Sequence, residues 1–253
     1  MARHPTTVIF HMGRSGSTVF GDLLNQNPNI RADTEIYAIT FRRLRESQPD
    51  AEATLFTQER HCKMTLRLDP KSSYLFEVKF FSALDMALFS GGLEEYIRFM
   101  CAHSMSQAIV IERSNTLRRL VSTLIAVKRG AYQLRSHEQI IIPRVSINCA
   151  AVRLGRDFPL CQLLDKIEAE YKKLYSLLDA AMVPTLRLNY ERHIEPDPLV
   201  AYNKACEFLR QPTHTVTTRY ARINTKPLKE ILKNFDEVYA TLVGTRHMWM
   251  TGE

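Results

Sequence analysis

The stretch Thr7-Val8-Ile9-Phe10-His11-Met12-Gly13-Arg14-Ser15-Gly16-Ser17-Thr18 decides the fold of this chain. The apolar, β-branched run at its start predicts a buried strand, and Ser17 to Asn25 predicts an amphipathic helix. Between the two, small residues let backbone N–H groups turn toward one point, and the helix start adds positive potential. The order of strand, turn and helix therefore predicts an anion-binding loop, with a tight turn before a helix cap as the alternative.

Strand and helix patterns alternate along the rest of the chain. Further strands are predicted at Tyr74–Phe80, Ala108–Ile111 and Thr185–Leu188. Helices are predicted at Leu93–Cys101, Asn115–Lys128, Leu163–Met182, Pro196–Leu209 and Pro227–Val243. This alternation predicts an α/β fold, a mostly parallel central sheet with helices on both faces. With 253 residues, of which 45% are apolar, we expect one domain, residues 1–253.

Composition bears on the expected location of the protein and on whether disulfides or a metal site are expected. Residues 1–12 hold only a short apolar run, and no later window is long enough to span a membrane, so a cytoplasmic protein is expected. The five cysteines form no C-x-x-C pair and have no histidine at zinc-ligand spacing, which argues against a disulfide scaffold or a metal site.

The formal net charge of +7 favours acidic ligands. A protein that binds nucleic acid or another polyanion is one function that such a charge permits. However, aromatic and basic residues do not interleave, and no nucleic-acid-binding module is recognisable. Nucleic acid is therefore not the expected partner.

The loop differs from a Walker A sequence, Gly-x-x-x-x-Gly-Lys-Ser/Thr. Aligning Gly16 with the second glycine of that sequence places His11 at the first glycine and Ser17 at the lysine. A P-loop kinase normally needs that lysine and a carboxylate for magnesium, so Ser17 argues against this alternative function. Arg14 offers a different cation, whose planar fork suits phosphate or sulfate oxygens.

A second candidate anion site follows the strand at residues 108–111. Arg113 stands at the end of the strand, and Ser122 lies more than two turns into the next helix, so both could reach one phosphate. Charge runs are usually solvated, and we expect Arg118 and Arg119 to face water. An ordinary basic surface helix is the alternative interpretation.

Together these motifs resemble the sulfotransferases that use 3′-phosphoadenosine 5′-phosphosulfate (PAPS). The residues Gly13, Arg14, Ser15, Gly16, Ser17 and Thr18 resemble the family's 5′-phosphosulfate loop, and Arg113 and Ser122 match its 3′-phosphate motif. Weaker similarity extends through Tyr190-Glu191 and the last predicted helix. The resemblance implies a P-loop-NTPase-like sulfotransferase fold. It also implies PAPS as co-substrate, its product 3′-phosphoadenosine 5′-phosphate (PAP), and a further phosphate contact at Lys226.

The resemblance also implies catalytic residues. Glu35 occupies the place of the family's general base, with Asp33 as a competitor and an ordinary surface carboxylate as the alternative interpretation. Lys79 corresponds to a lysine that stabilises the bridging oxygen, although strand alternation also permits an exposed edge on which Glu77 and Lys79 pair. Arg14 would assist at the sulfuryl group.

His137 lies in the variable stretch after the second motif, where an acceptor would bind. The acceptor would be a hydroxyl or amine of a carbohydrate, lipid or small natural product. In-line sulfuryl transfer depends on positioning and cationic stabilisation, so no metal is expected. Which of Glu35, Asp33 and His137 serves as the base stays open.

Overall fold

A computed structural model describes residues 6–37, 55–60, 69, 71–103, 105–135, 141–222 and 226–252. The strands are β1 (Thr6–His11), β2 (Ile30–Asp33), β3 (Ser73–Lys79), β4 (Met105–Glu112), β5 (Val152–Leu154), β6 (Arg156–Phe158) and β7 (Thr185–Asn189). The α-helices are α1 (Ser17–Asn25), α2 (Gly92–His103), α3 (Thr116–Arg129), α4 (Leu160–Ala180), α5 (Pro198–Phe208), α6 (Leu228–Ile231) and α7 (Phe235–Leu242). Short 3-10 turns occupy Asp85–Leu88 and Met248–Thr251, and a π-helical turn occupies Tyr190–Ile194.

The chain forms two compact units. The sheet unit comprises Met1–Glu112 and Lys172–Thr217, and the second unit comprises Arg113–Tyr171 and Thr218–Glu253. The expectation of one domain for residues 1–253 remains a prediction.

The sheet unit contains a five-stranded sheet in the order β2-β3-β1-β4-β7, and each neighbouring pair is parallel. The predicted fold class is thereby confirmed. The four strands predicted from β-branched runs all occur, with small differences in their ends. The short strand β2 was missed, because Arg31 and Asp33 interrupt its apolar pattern.

Helices cover both faces of this sheet. One face presents Ile9 and Ile109 to a core that includes residues of α1 and α5. On the other face Phe10 makes an edge contact with Tyr96 of α2, with ring centroids 6.3 Å apart. Successive residues of one strand therefore pack in different layers. Since both layers are buried, these strands are apolar throughout.

The second unit is built around α3 and the C-terminal segments. Asn115 caps α3 through a side chain that accepts the N–H of Arg118, and Gly130 ends the helix in a left-handed conformation. The strands β5 and β6, which were not predicted, form an antiparallel pair.

The single helix predicted at Pro227–Val243 is wrong. It divides into α6 and α7, because Leu232 is extended and forms a bridge with Val145. Asn234 donates to the carbonyl of Ile147 and fixes the break. No helix in the described ranges is long and apolar enough to cross a membrane.

Candidate functional site

The loop after β1 lies where the order of the sheet reverses. From β1 the chain passes to β2 and β3 on one side, and β4 and β7 lie on the other. In open parallel sheets, ligands bind beyond the carboxyl ends of the strands at such a reversal. The topology thus places residues 12–16 where a ligand site is expected.

Left-handed backbone shapes this loop. Gly13, Arg14 and Gly16 have φ values of 76°, 56° and 81°. Arg14 is strained there, because a Cβ disfavours this conformation by about 1–2 kcal/mol. Residues in such turns can aim consecutive N–H groups into one concavity that suits an anion.

Gly16 also satisfies a packing requirement. A Cβ at this position would lie 2.6 Å from Cγ2 of Ile194 and 3.2 Å from the ring of Tyr190. The π-helical turn Tyr190–Ile194 therefore packs directly against the loop, and only glycine permits this approach.

The start of α1 carries no side-chain cap. Gly16 is the N-cap residue and makes no side-chain hydrogen bond, so the first N–H groups of α1 have no acceptor within the helix. Ser15 Oγ is buried and lacks a hydrogen-bond partner among the described residues. A buried hydroxyl in this state costs about 1–3 kcal/mol, which a bound anion or water would offset.

Two predicted catalytic residues meet beside this loop. Lys79 Nζ lies 2.5 Å from Glu35 Oε2, and both side chains are about one-third exposed, at 27% and 32%. Cε of Lys79 lies 3.7 Å from where a Cβ on Gly13 would stand. The structure thus brings Glu35, Lys79 and Gly13 together.

Asp33, the competing candidate for the base, forms hydrogen bonds and ion pairs with other side chains. It is buried and accepts hydrogen bonds from Arg60 and Tyr74, each at 3.0 Å, and Arg31 lies 3.3 Å away. Both oxygens of Asp33 are therefore already occupied by partners, and its side chain is only 5% exposed. The geometry favours Glu35 over Asp33.

Two further acidic residues, Glu77 and Asp85, lie near the loop, and sequence patterns did not single out Asp85. Glu77 is buried with its Oε2 3.3 Å from Nε2 of His11, so the expected Glu77–Lys79 pair on an exposed edge is wrong: β3 is an inner strand. Asp85 accepts the backbone N–H of Lys79 at 2.7 Å. Burial raises the pKa of Asp85 to about 6. An acid six residues after a strand is too common a pattern to reveal this role.

His11, Glu35 and Glu77 also offer three potential metal-ligand atoms within 4.8 Å of one another. Sequence spacing did not reveal this group, since its members come from three different segments. Lys79 already neutralises Glu35, so a cation there would have to displace the ammonium group.

The second unit holds the other predicted anion site. Arg113 and Ser122 are both buried, at 6% and 3% exposure. Arg119 is buried too, so the expectation that it faces water is wrong. Burial, with a smaller effect from Arg113, lowers the pKa of Arg119 to about 10. The positive charge of these two buried arginines would favour an anionic ligand.

The remaining predicted residues are less well placed for a site. Lys226 is exposed, and its Nζ lies 4.0 Å from Glu230, while its carbonyl accepts a hydrogen bond from Arg118. His137 lies outside the described residues. Its proposed contact with an acceptor stays a prediction.

The chain matches no protein-family model and no curated protein. Among solved structures, it is similar to a deoxyadenosine kinase from M. mycoides with bound dATP, at 15% identity and a TM-score of 0.39. The likeness covers 80% of this chain and 99% of that one. The parallel order of the five strands establishes the α/β fold.

Proposed function

We propose that this chain is a PAPS-dependent sulfotransferase that transfers the sulfuryl group to a hydroxyl or amine acceptor. The observation that carries the proposal is the Glu35–Lys79 pair, 2.5 Å apart, beside Gly13 of an anion-binding loop. A carboxylate and a cation at that position are the two groups that sulfuryl transfer needs.

The loop itself supports binding of the donor's 5′ end. Uncapped N–H groups of α1, the unpartnered hydroxyl of Ser15 and the half-buried Arg14 offer donors and positive potential. With Gly13, Gly16, Ser17 and Thr18 they form the proposed site of the 5′-phosphosulfate.

The reaction uses Glu35 and Lys79 in succession. Glu35 accepts the proton of the acceptor O–H or N–H while the acceptor atom forms a bond to sulfur. The bond between sulfur and the bridging oxygen breaks, and Lys79 stabilises the negative charge left on the 5′-phosphate of PAP. For this, Lys79 turns from Glu35 toward the donor, which frees the carboxylate to act as base.

The buried arginines of the second unit support a 3′-phosphate contact. Arg113, Arg119 and Ser122 supply two guanidinium groups and a hydroxyl in a setting where charge-assisted hydrogen bonds are strong. We propose Arg113 and Ser122 as primary contacts and Lys226 as an outer contact.

Titration by calorimetry tests the donor assignment. Wild-type protein should bind PAP more tightly than Mg-ATP, and Arg14→Ala and Arg113→Ala should each weaken PAP binding about tenfold or more. Arg98→Ala and Arg153→Ala, at exposed arginines, serve as matched controls. A preference for Mg-ATP would indicate a kinase instead. A screen of acceptors with radiolabelled PAPS then identifies the acceptor class.

A further inference from the structure

His11 ends β1 and is fully buried at the base of the loop. Its Nδ1 accepts the backbone N–H of Gly13 at 3.0 Å. This hydrogen bond spans two residues and precedes the left-handed pair Gly13 and Arg14. A Walker A loop has glycine at the position of His11, so it has no side chain there to make this contact.

The hydrogen bond fixes where the imidazole carries its proton. A nitrogen that accepts an N–H has its lone pair free, so Nδ1 is unprotonated and a neutral ring carries its proton on Nε2. That nitrogen lies 3.3 Å from Oε2 of Glu77. The two atoms make no hydrogen bond in this structure, so Glu77 acts on the ring through its nearby negative charge.

Glu77 is held in place by α1. Its Oε1 lies 2.9 Å from where a Cβ on Gly21 would stand, so this glycine leaves the space that the carboxylate fills. Glu77 is 3% exposed. The carboxylate is therefore confined between α1 and His11, with little freedom to turn away.

A metal ion on Nε2 is the competing use of these groups. Metal binding would need the lone pair on Nε2, and the ring proton would then move to Nδ1. Nδ1–H would face the N–H of Gly13, so two donors would meet at 3.0 Å. The hydrogen bond to Gly13 thus favours a protonated Nε2 over a ligated one.

We propose that His11 is a positioning residue whose Nδ1 accepts the N–H of Gly13 and so sets the left-handed turn of the anion loop. Glu77 places a negative charge beside Nε2, while the hydrogen bond from Gly13 alone assigns the tautomer. Holding Gly13 fixes the direction of the following N–H groups and of Arg14 before a ligand arrives. The part of this proposal that concerns donor affinity rests on the proposed function.

Two substitutions separate the ring nitrogens. In His11→Asn the side-chain oxygen can take the place of Nδ1 and accept from Gly13, whereas in His11→Gln the amide reaches the position of Nε2 and leaves Gly13 without its acceptor. Both replace a buried ring by a smaller polar side chain. They are therefore matched for the loss of packing.

The first measurement needs no ligand. In the NMR spectrum of protein labelled with ¹⁵N-histidine, the His11 signals, assigned by their loss in H11Q, should show an unprotonated Nδ1. Amide exchange of Gly13 should be slow in wild type and H11N and about tenfold or more faster in H11Q. A protonated Nδ1, or equal exchange in all three proteins, overturns the inference.

The second measurement isolates the 5′ end of the donor. The ratio of affinities for PAP and for adenosine 3′-phosphate, which lacks the 5′-phosphate, should fall about tenfold in H11Q and stay near the wild-type value in H11N. Equal ratios in the two variants overturn the positioning role. If wild-type protein does not distinguish the two nucleotides, the proposed function fails, and the ligand-free measurement still decides the inference.

Discussion

Lys79 Nζ and Glu35 Oε2 lie 2.5 Å apart beside Gly13, and the pair joins the end of β3 to the loop that follows β2. If Glu35 is the general base, Glu35→Gln should lower turnover about 100-fold or more and leave PAP affinity unchanged or slightly higher. Lys79→Met should also lower turnover about 100-fold, through loss of charge stabilisation. Steady-state rates and calorimetry on the same samples check both.

The pair should matter little for stability. It is partly exposed, and such ion pairs contribute about 1 kcal/mol or less. Asp33→Asn is the contrasting variant: it disturbs a buried carboxylate with three partners, so it should destabilise the fold more and affect the rate of transfer less. Full activity of Glu35→Gln would remove Glu35 from the mechanism.

Asp85 predicts an unusual pH dependence of stability. Burial raises its pKa to about 6, so the folded chain binds this proton more tightly than the unfolded chain does. Its contribution to the free energy of unfolding is then largest below about pH 4, decreases as the pH rises toward 6, and is constant above.

Asp85→Asn removes this titration and keeps an oxygen to accept the N–H of Lys79. Relative to wild type, the variant should gain up to about 3 kcal/mol between pH 4 and pH 7. Urea unfolding at several pH values measures the difference. A difference between the two proteins that does not change with pH contradicts the assignment.

Gly16→Ala should be more damaging than its φ alone implies. A methyl group there meets Ile194 at 2.6 Å, so packing strain of about 1–3 kcal/mol adds to the cost of left-handed backbone. Gly130→Ala is the matched control, with φ of 67° and nothing within 4 Å of the added Cβ. Unfolding midpoints should fall further for Gly16→Ala, and equal losses would mean that the close contact is unimportant.

Arg119 should contribute to binding of the donor's 3′-phosphate. Arg119→Met keeps length and apolar packing but removes a buried charge whose pKa burial lowers to about 10. PAP affinity should fall about tenfold, and affinity for adenosine 5′-phosphate should not change. Arg118→Met, at the neighbouring half-exposed arginine, is the control. Equal effects on both nucleotides would assign Arg119 a structural role.

The basic charge of the chain is unevenly distributed. The second unit holds 16 of the 34 Lys and Arg residues and 9 of the 27 Asp and Glu residues, so it carries the whole net charge of +7. If this charge serves a nucleotide donor, DNA and RNA should bind weakly, and a gel shift should vanish at about 0.15 M salt. A shift that persists above this concentration would favour a polyanion-binding protein.

Local patterns predicted β1, α1 and the loop between them, because the apolar periodicity, the glycines and the helix-start residues of this stretch all indicate the same structure. Glu35 and Lys79 were also foretold, from short family-like matches around each residue. The sequence could not predict that the side chains of Glu35 and Lys79 are in contact, since 44 residues separate them along the chain. Only the pairing of β2 with β3 brings the two segments together.

The misjudged residues share one cause. Arg119 was expected to face water, and an exposed edge was the alternative interpretation for Glu77, because charged side chains are usually exposed. However, Glu77 lies on an inner strand and Arg119 on the buried side of α3. Burial of a charge depends on which segments pack over it, and a single sequence does not contain that information locally. His11 escaped notice for the same reason.

Arg14 should lower the stability of the fold while contributing to the proposed binding of an anionic ligand. Glycine or asparagine would adopt its left-handed backbone, with φ of 56°, at less conformational cost. Only arginine, however, brings a forked cation to the loop. A screen that rewards heat resistance alone should therefore accumulate replacements at this position and lose the ligand. Laboratory evolution of this protein needs both selections at once.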